Sequence, residues 1–338
     1  MGRPRVLLAA DAGEGCLAAV RGLAAGGYEP WVAVSRRHAY AARSRAAAGV
    51  LAVSDADADP VGHADALARA ARRLGAAAVL PGSDASLAAL SGREAVFHPA
   101  AVGAGTPEAL HRATAGLGAL AARHRLPPAP AGLAERRLAV AGRPAPAEPA
   151  ELAAVSGLVL DGRILSALHQ RSPRIWPSET GRSAYAVTGA PDPGLEAAVA
   201  ALLAEVGWTG LYHVPLLVAA DGAWLLDLVL TPGTYGSLAL AVAAGHNLAA
   251  GWADLVCGRP VDLGPYRVGT GLRCEERDAP ALAATVLAGR PRAALRALRP
   301  GRDRRLSVLS PRDPAPALTL GRRLGEKAGR RARRLARR

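Results

Sequence analysis

The feature that most constrains the fold is an alternation of short apolar runs and amphipathic stretches over residues 5–92. The runs RVLLAA, EPWVAV, GVLAVS and AAAVLPG are typical of strands, whereas GEGCLAAVRGLAAGG and PVGHADALARAARRLG have the apolar spacing of helices. Strands that alternate with helices in this way form an open parallel sheet. Because ligands bind such sheets at the carboxyl ends of the strands, we expect Asp11, Ser35 and the turn 81–84 to share one rim.

The pattern changes after residue 150, where strands come in hairpins. The Asp-Gly pairs at 161–162 and 221–222 each lie between apolar runs, which is the signal for a tight hairpin turn. Between them, DPGLEAAVAALLAEVGW predicts an amphipathic helix, and PRIWPSETGRSAYAVT reads as irregular. This region therefore has α+β patterning, distinct from the α/β patterning of the first.

We predict four segments from these patterns. A Rossmann-like α/β domain covers residues 1–104, and an α+β domain covers 105–262. A C-terminal extension over 263–318 packs on the body, and a basic tail follows over 319–338.

Positive charge is concentrated at the C-terminus. The chain of 338 residues has a net charge of +14, and the stretch GRRLGEKAGRRARRLARR carries much of it. Such a run either forms a solvated helical tail or contacts a polyanion, namely nucleic acid, an anionic membrane or an acidic protein. Since the remaining body is only mildly basic, net charge does not by itself indicate a nucleic-acid-binding protein.

Three cysteines without a Cys-x-x-Cys pair are typical of a reducing compartment. The first apolar run is too short for a signal peptide, and no apolar stretch reaches the roughly 20 residues that span a bilayer. The sequence thus predicts a cytoplasmic protein. The Gly-bearing stretch ADAGEGCLAAV lacks the full order of a dinucleotide fingerprint, and no phosphate-binding P-loop or Ser-His-Asp spacing is present.

The most specific motif is LLAEVGWTGLYHVPLLVAADGAWLLDLVLTPGTYGSLALAVAAG, at residues 202–245. A helix ending in Gly-Trp precedes a hairpin, then Pro-x-x-x-Gly-Ser-Leu and a small-residue helix. This order resembles the ATP-grasp superfamily, especially carboxylate–amine ligases of the carbamoyl-phosphate-synthase type. Nearly the whole chain resembles it, since RVLLAADAGEGCLAAVRGLAAGGYEPWVAV is similar to a pre-ATP-grasp domain and TPEALHRATAGLGALAARHRLPPAP to the helix that opens the next domain.

The resemblance implies a pre-ATP-grasp domain followed by a reduced ATP-grasp domain, with ATP and Mg²⁺ as cofactors. Members of the superfamily use two lysines on the phosphates and carboxylates on two neighbouring strands for magnesium, because the transferred phosphoryl group concentrates negative charge. This chain departs from the pattern, since its only lysine is Lys327. Pro215 and Val229 stand at the two carboxylate positions, and Ala115 and Gly116 replace the usual Asp-Lys pair.

Several residues are candidates for the remaining site. Asp227 lies two residues before Val229 and so faces the same side of its strand, which makes it the predicted metal ligand; the alternative is an ordinary carboxylate at a strand end. By resemblance, the segment 169–182 faces the cleft. Its arginines could hold a carboxylate or phosphate bidentately, or could form a solvated basic face. The predicted catalytic residues are Arg174 and Arg182, and the predicted cofactor-binding residues are His169, Arg171 and Ser237.

The rim of the first sheet supplies a second group. Ser83 and Asp84 follow the fourth strand near the family's acceptor site, and they are the predicted substrate-binding residues; the alternative is a helix cap.

Three functions are compatible with these observations. The first is a pseudoenzyme that keeps the fold and serves as a companion or small-ligand binder. The second is an ATP-dependent ligase that joins a carboxylate to an amine through an acyl phosphate, using unusual ligands. The third is a basic scaffold that docks on nucleic acid or membrane through the Arg-rich tail. The corresponding partners are a small-molecule carboxylate, a protein, a polyanion or a second copy of the chain in a homodimer.

Overall fold

The computed structural model describes residues 2–35, 39–114, 151–177, 182–219, 222–225, 235–298 and 304–335. Its helices are α1 (Glu14–Ala25), α2 (Pro60–Leu74), α3 (Asp84–Leu90), α4 (Pro107–Thr114), α5 (Pro193–Val206), α6 (Leu238–Ala243), α7 (Leu248–Val256), α8 (Glu275–Leu287), α9 (Pro291–Leu298) and α10 (Pro316–Leu335). Its strands are β1 (Arg5–Ala10), β2 (Glu29–Val34), β3 (Gly49–Ala52), β4 (Ala78–Pro81), β5 (Ala101–Val102), β6 (Glu151–Leu160), β7 (Arg163–Trp176), β8 (Arg182–Thr188), β9 (Gly210–Ala219), β10 (Gly222–Leu225), β11 (Gly271–Arg273) and β12 (Arg304–Leu306).

The first sheet is parallel, with the strand order β3-β2-β1-β4-β5. Its central strand β1 is buried on both faces: Val6 and Leu8 pack in one core with α1, whereas Leu7 packs in another with α2. A parallel sheet covered by helices on both faces requires such continuous apolar strands. The predicted α/β architecture of the first region is confirmed.

The second sheet has seven strands in the order β10-β9-β6-β7-β8-β11-β12. Its β6–β7 hairpin turns at Asp161 and Gly162, both with positive φ (48° and 77°), as the Asp-Gly signal predicts. One expectation is corrected: the stretch expected to be irregular, residues 173–188, forms the end of β7 and all of β8. The predicted segment 263–318 contributes β11 and β12 to this sheet.

The two faces of the second sheet have different neighbours. Val155, Tyr212 and Val214 turn towards α5 and form one core with it, so we call this side the α5 face. The opposite side carries Ser156 and His213, paired across β6 and β9, and Leu158, Leu168 and Leu211 on it pack with α6, α7 and α1. We call this side the cleft face, since it is the face that turns towards the first sheet's helix α1.

The C-terminal helix α10 lies on the rim of the first sheet. Its Leu320 packs with Leu17, Tyr40 and Val308. The Arg323 guanidinium lies 4.5 Å from the centre of the Tyr40 ring and donates to the Ala12 carbonyl at 2.6 Å. The predicted basic tail therefore starts inside a helix that is bound to the body.

A buried carboxylate on the loop before α10 reinforces this contact. Asp313 accepts hydrogen bonds from the Ser44 hydroxyl at 2.6 Å and the Arg45 N–H at 2.9 Å, and it pairs with Arg21 of α1 at 2.9 Å. These bonds join the C-terminal segment to two elements of the first region. None of the helices in the described ranges has the length and apolar content needed to cross a membrane.

Candidate ligand-binding cleft

Pro215 lies in the middle of β9. Strands β6 and β9 pair in continuous register, with Ala154 opposite Pro215 and Ser156 opposite His213. No bulge accommodates the proline on this side, and on the other side the described pairing with β10 ends at Leu216. Because side chains alternate along a strand, Pro215 and His213 both point to the cleft face.

The cleft face is electrically neutral at the centre of the sheet. Among the described residues, the positions on this face in the middle of β9, β6 and β7 carry no carboxylate, ammonium or guanidinium group, and Arg163, opposite Leu160 at the hairpin turn, is exposed. These positions are Leu211, His213, Pro215, Leu152, Ala154, Ser156, Leu158, Ser166, Leu168 and Gln170.

A polar group is built around His213. The Ser156 hydroxyl and His213 Nδ1 are 2.7 Å apart and share a hydrogen bond. The Tyr235 ring stacks on the imidazole with a centroid distance of 4.3 Å and an interplanar angle of 9°. Burial lowers the pKa of His213 to about 3 and raises the pKa of Tyr235, so both rings are uncharged at neutral pH.

Two polar atoms near this group lack hydrogen-bond partners in the described structure. They are the Tyr235 hydroxyl, whose residue is 8% exposed, and the Gln170 side-chain oxygen, whose residue is 5% exposed. Buried polar atoms are nearly always hydrogen-bonded, and an unpaired one costs about 1–3 kcal/mol. A bound molecule with hydrogen-bonding groups would relieve that cost.

Comparison with solved structures shows which known proteins share this fold. The biotin carboxylase domain of a single-chain bacterial carboxylase superposes with a TM-score of 0.56 at 19% identity, over 78% of this chain and 71% of that chain. Biotin carboxylase from Campylobacter jejuni, solved with β,γ-ATP, gives 0.56 at 13% identity, over 79% and 74% of the two chains. The chain has an ATP-grasp fold.

The similarity is one of fold. Pyruvate carboxylase from Rhizobium etli also matches, with a TM-score of 0.56 at 14% identity over 80% of this chain, but the chain spans only 28% of that multidomain protein. No family model matches the sequence, and no curated protein matches it significantly.

The described residues of this ATP-grasp fold do not fit ATP and Mg²⁺. A transferred phosphoryl group needs cations against its oxygens, and magnesium needs oxygen ligands in near-octahedral geometry. The cleft face offers neither at the positions described above, and no three His, Cys, Asp or Glu side chains group as a metal site within the described ranges. Asp227, the predicted metal ligand, lies outside the described residues, as do Val229, Ala115 and Gly116.

The structure separates the residues predicted to act together in segment 169–182. His169 and Arg171 are on the α5 face: His169 Nε2 lies 3.3 Å from the Glu196 carboxylate, and Arg171 lies 3.9 Å from that of Glu151. These two residues therefore lie on the opposite side of the sheet from His213, and their predicted cofactor-binding role stays a prediction. The register with β6 decides the matter, since Ala153 and Val155 opposite them also turn away from the cleft.

Arg174 and Arg182 also lie apart. Arg174 donates to the Asp278 carboxylate of α8 at 2.5 Å, and Arg273 lies 3.4 Å from the other oxygen of that carboxylate. Arg174 thus serves a buried ion pair. Arg182 is the exposed first residue of β8, and by alternation it lies on the same side of the strand as Ala184. The predicted catalytic role of Arg182 stays a prediction.

The rim residues have structural roles that the sequence left open. The Ser83 hydroxyl caps α3 by accepting from the Ser86 N–H at 3.2 Å, and Asp84 is exposed in the first turn. Ser86 in turn bonds His63 Nε2 at 3.1 Å. Ser237 precedes α6 and is 7% exposed. The proposed substrate and cofactor roles of these residues remain predictions.

Sequence reasoning did not identify Ser156, Tyr235 or Gln170 as site residues. Alternation along the two hairpins was a usable signal for Ser156, because it pairs directly with His213. Tyr235 comes from a different part of the chain, and no local pattern links it to the imidazole on which it stacks.

Proposed function

We propose that this ATP-grasp-fold protein is a pseudoenzyme whose cleft face binds a small uncharged molecule, alone or as the companion of an active ligase. The observation that carries the proposal is the neutral cleft face. Pro215 stands where the superfamily resemblance places a magnesium carboxylate, and the neighbouring His213 is uncharged.

Electrostatics supports this reading. A polyphosphate that enters a site without cations loses its hydration without compensation, at a cost of several kcal/mol for each buried charge. Loss of one transition-state contact typically reduces a rate by about 10²–10³, so the joint loss of lysines and carboxylates would leave little catalysis. An uncharged ligand meets no such penalty and can pair with the Tyr235 and Gln170 oxygens.

Calorimetric titration of the full chain with ATP, with and without Mg²⁺, tests the loss of nucleotide chemistry. We expect no saturable binding up to millimolar ATP. Tight, magnesium-dependent binding that Asp227→Ala abolishes and Asp262→Ala preserves would overturn the proposal in favour of an ATP-dependent ligase. Asp262 is a suitable control because it is an exposed carboxylate.

A thermal-shift screen tests ligand binding on the cleft face. The probes are uncharged amides and heteroaromatic compounds, each paired with its carboxylate analogue. We expect stabilisation by uncharged members, weakened in Tyr235→Phe because the hydroxyl is lost while the stacked ring remains. Stabilisation by the carboxylates alone would contradict a neutral site.

A further inference from the structure

The most exposed large apolar side chain in the described structure is Leu287, at 85%. It ends α8, and the following helix α9 carries two more exposed leucines, Leu295 at 65% and Leu298 at 52%. Contiguous exposed apolar side chains on a folded body mark a surface that binds something, whereas single ones need no explanation. This concentration at one helical hairpin therefore calls for a partner.

The geometry of α9 places charge beside these leucines. Ala294 is buried, at 3% exposure, and fixes the side of the helix that packs on the body. Leu295 and Leu298, three residues apart, share an exposed stripe, and Arg292 and Arg296, four residues apart, share the next. We call the exposed set the Leu/Arg surface; it consists of Leu287, Arg290, Arg292, Leu295, Arg296 and Leu298.

The sequence leaves this surface without negative charge. From Ala279 to Leu298 the chain contains three arginines, Arg290, Arg292 and Arg296, and no aspartate or glutamate. The surface is thus both apolar and cationic, and its arginines have no acidic neighbour within that segment.

The combination of exposed leucines and arginines favours one class of binding partner over the others. A second copy of the chain, docked through the same surface about a twofold axis, would bring arginines against arginines. Nucleic acid would match the arginines, but phosphate contacts make no use of exposed leucines. An anionic lipid surface matches both, since amphipathic helices with arginines and leucines lie in the interface, with the apolar groups among acyl chains and the cations at the headgroups.

We propose that the Leu/Arg surface docks the protein reversibly on an anionic lipid bilayer. None of its residues belongs to the cleft-face positions of β6, β7 and β9, so we expect cleft variants to leave docking unchanged. Helix α9 has eight residues, which suits shallow interfacial contact.

Vesicle flotation of the full chain tests the proposal. The vesicles are phosphatidylcholine with and without about 30% phosphatidylglycerol, which makes the surface strongly anionic. The informative variants are the double changes Leu287→Gln/Leu295→Gln and Arg292→Gln/Arg296→Gln. The matched controls are Leu318→Gln, a leucine 72% exposed on α10, and Arg73→Gln, an exposed arginine on α2. A chain lacking residues 329–338 measures the separate contribution of the basic tail.

We expect flotation with anionic vesicles only. The leucine pair should weaken binding by at least about tenfold, and the arginine pair by about fivefold for each arginine removed; neither control should weaken it. Three results would overturn the proposal: no flotation of the wild type, flotation that depends on residues 329–338 but not on the leucines, or leucine-dependent dimers in light scattering without vesicle binding. The point variants change exposed side chains, so their circular dichroism should match that of the wild type.

Discussion

Glu275, the first residue of α8, holds the loop 307–309 through its carboxylate. One oxygen accepts from the N–H groups of Val308 at 3.0 Å and Leu309 at 2.7 Å. The other accepts from the Ser307 N–H at 3.0 Å and the Ser307 hydroxyl at 2.5 Å. Successive backbone N–H groups around an anion make a strong site because each bond is charge-assisted.

We predict that Glu275→Gln destabilises this contact by about 2–4 kcal/mol. The amide keeps the size of the side chain but turns one oxygen into a donor, so at least one N–H faces another donor, at a cost of about 1–3 kcal/mol. The bonds to the remaining oxygen lose their charge assistance, which accounts for about 1 kcal/mol more.

Hydrogen exchange measured by mass spectrometry on a peptide covering residues 305–310 reports this local free energy, and urea unfolding reports its share of global stability. Glu108→Gln is the matched control, since Glu108 also lies in the first turn of a helix, α4, but is exposed. We expect exchange of the Val308 and Leu309 amides to accelerate about 30-fold or more in Glu275→Gln and to stay unchanged in the control. Equal exchange in both variants would show that the carboxylate does not hold the loop.

Three further predictions follow from the described contacts. Burial raises the pKa of Asp313, but its hydrogen bonds and Arg21 lower it more, so the net shift is downward. The stabilisation by Asp313 is therefore present above its unfolded pKa near 4 and is lost as pH falls through its folded pKa. Asp313→Asn should accordingly weaken the loss of unfolding free energy at acid pH, measured by urea unfolding over a pH series. Gly105→Ala places a methyl group about 2.1 Å from the Trp208 ring and should lower the melting temperature, with a cost of about 1–3 kcal/mol, whereas Gly321→Ala in α10 meets nothing within 4 Å and should raise stability by up to about 1 kcal/mol. Removing residues 329–338 deletes six arginines and should weaken heparin binding, and an unchanged heparin affinity would exclude the tail as a polyanion contact.

The first sheet was predictable because its central strand is buried on both faces, so Val6 and Leu8 belong to a continuous apolar run. The edge of the second sheet was not. Register shifts between Arg171 and Arg174 break the two-residue alternation from which a strand is recognised. Strand β12 has three residues, which is too short to show a period.

The site was predictable in part. The resemblance predicts Pro215 on a hairpin strand, and the structure places Pro215 in β9 of the β9–β10 hairpin. The ion-pair partner of Arg174 could not be predicted from the sequence, because Asp278 lies 104 residues further on and only the packing of α8 brings the two side chains together. Sequence gives the chemistry of a side chain, whereas its partner depends on tertiary contacts.

The ion-pair partners of the arginines also determine whether arginines could take the place of the two phosphate-binding lysines that the resemblance leads us to expect. Arg174 and Arg273 share Asp278, which is 4% exposed, and Arg277 pairs with Glu14, which is 6% exposed. Turning Arg277 towards a phosphate would leave the buried Glu14 carboxylate without its cationic partner, which typically costs about 3–5 kcal/mol. A nucleotide would have to offset that cost before gaining any affinity. These arginines are therefore poor substitutes for lysines on a cleft wall, because they already pair with carboxylates that are almost completely buried.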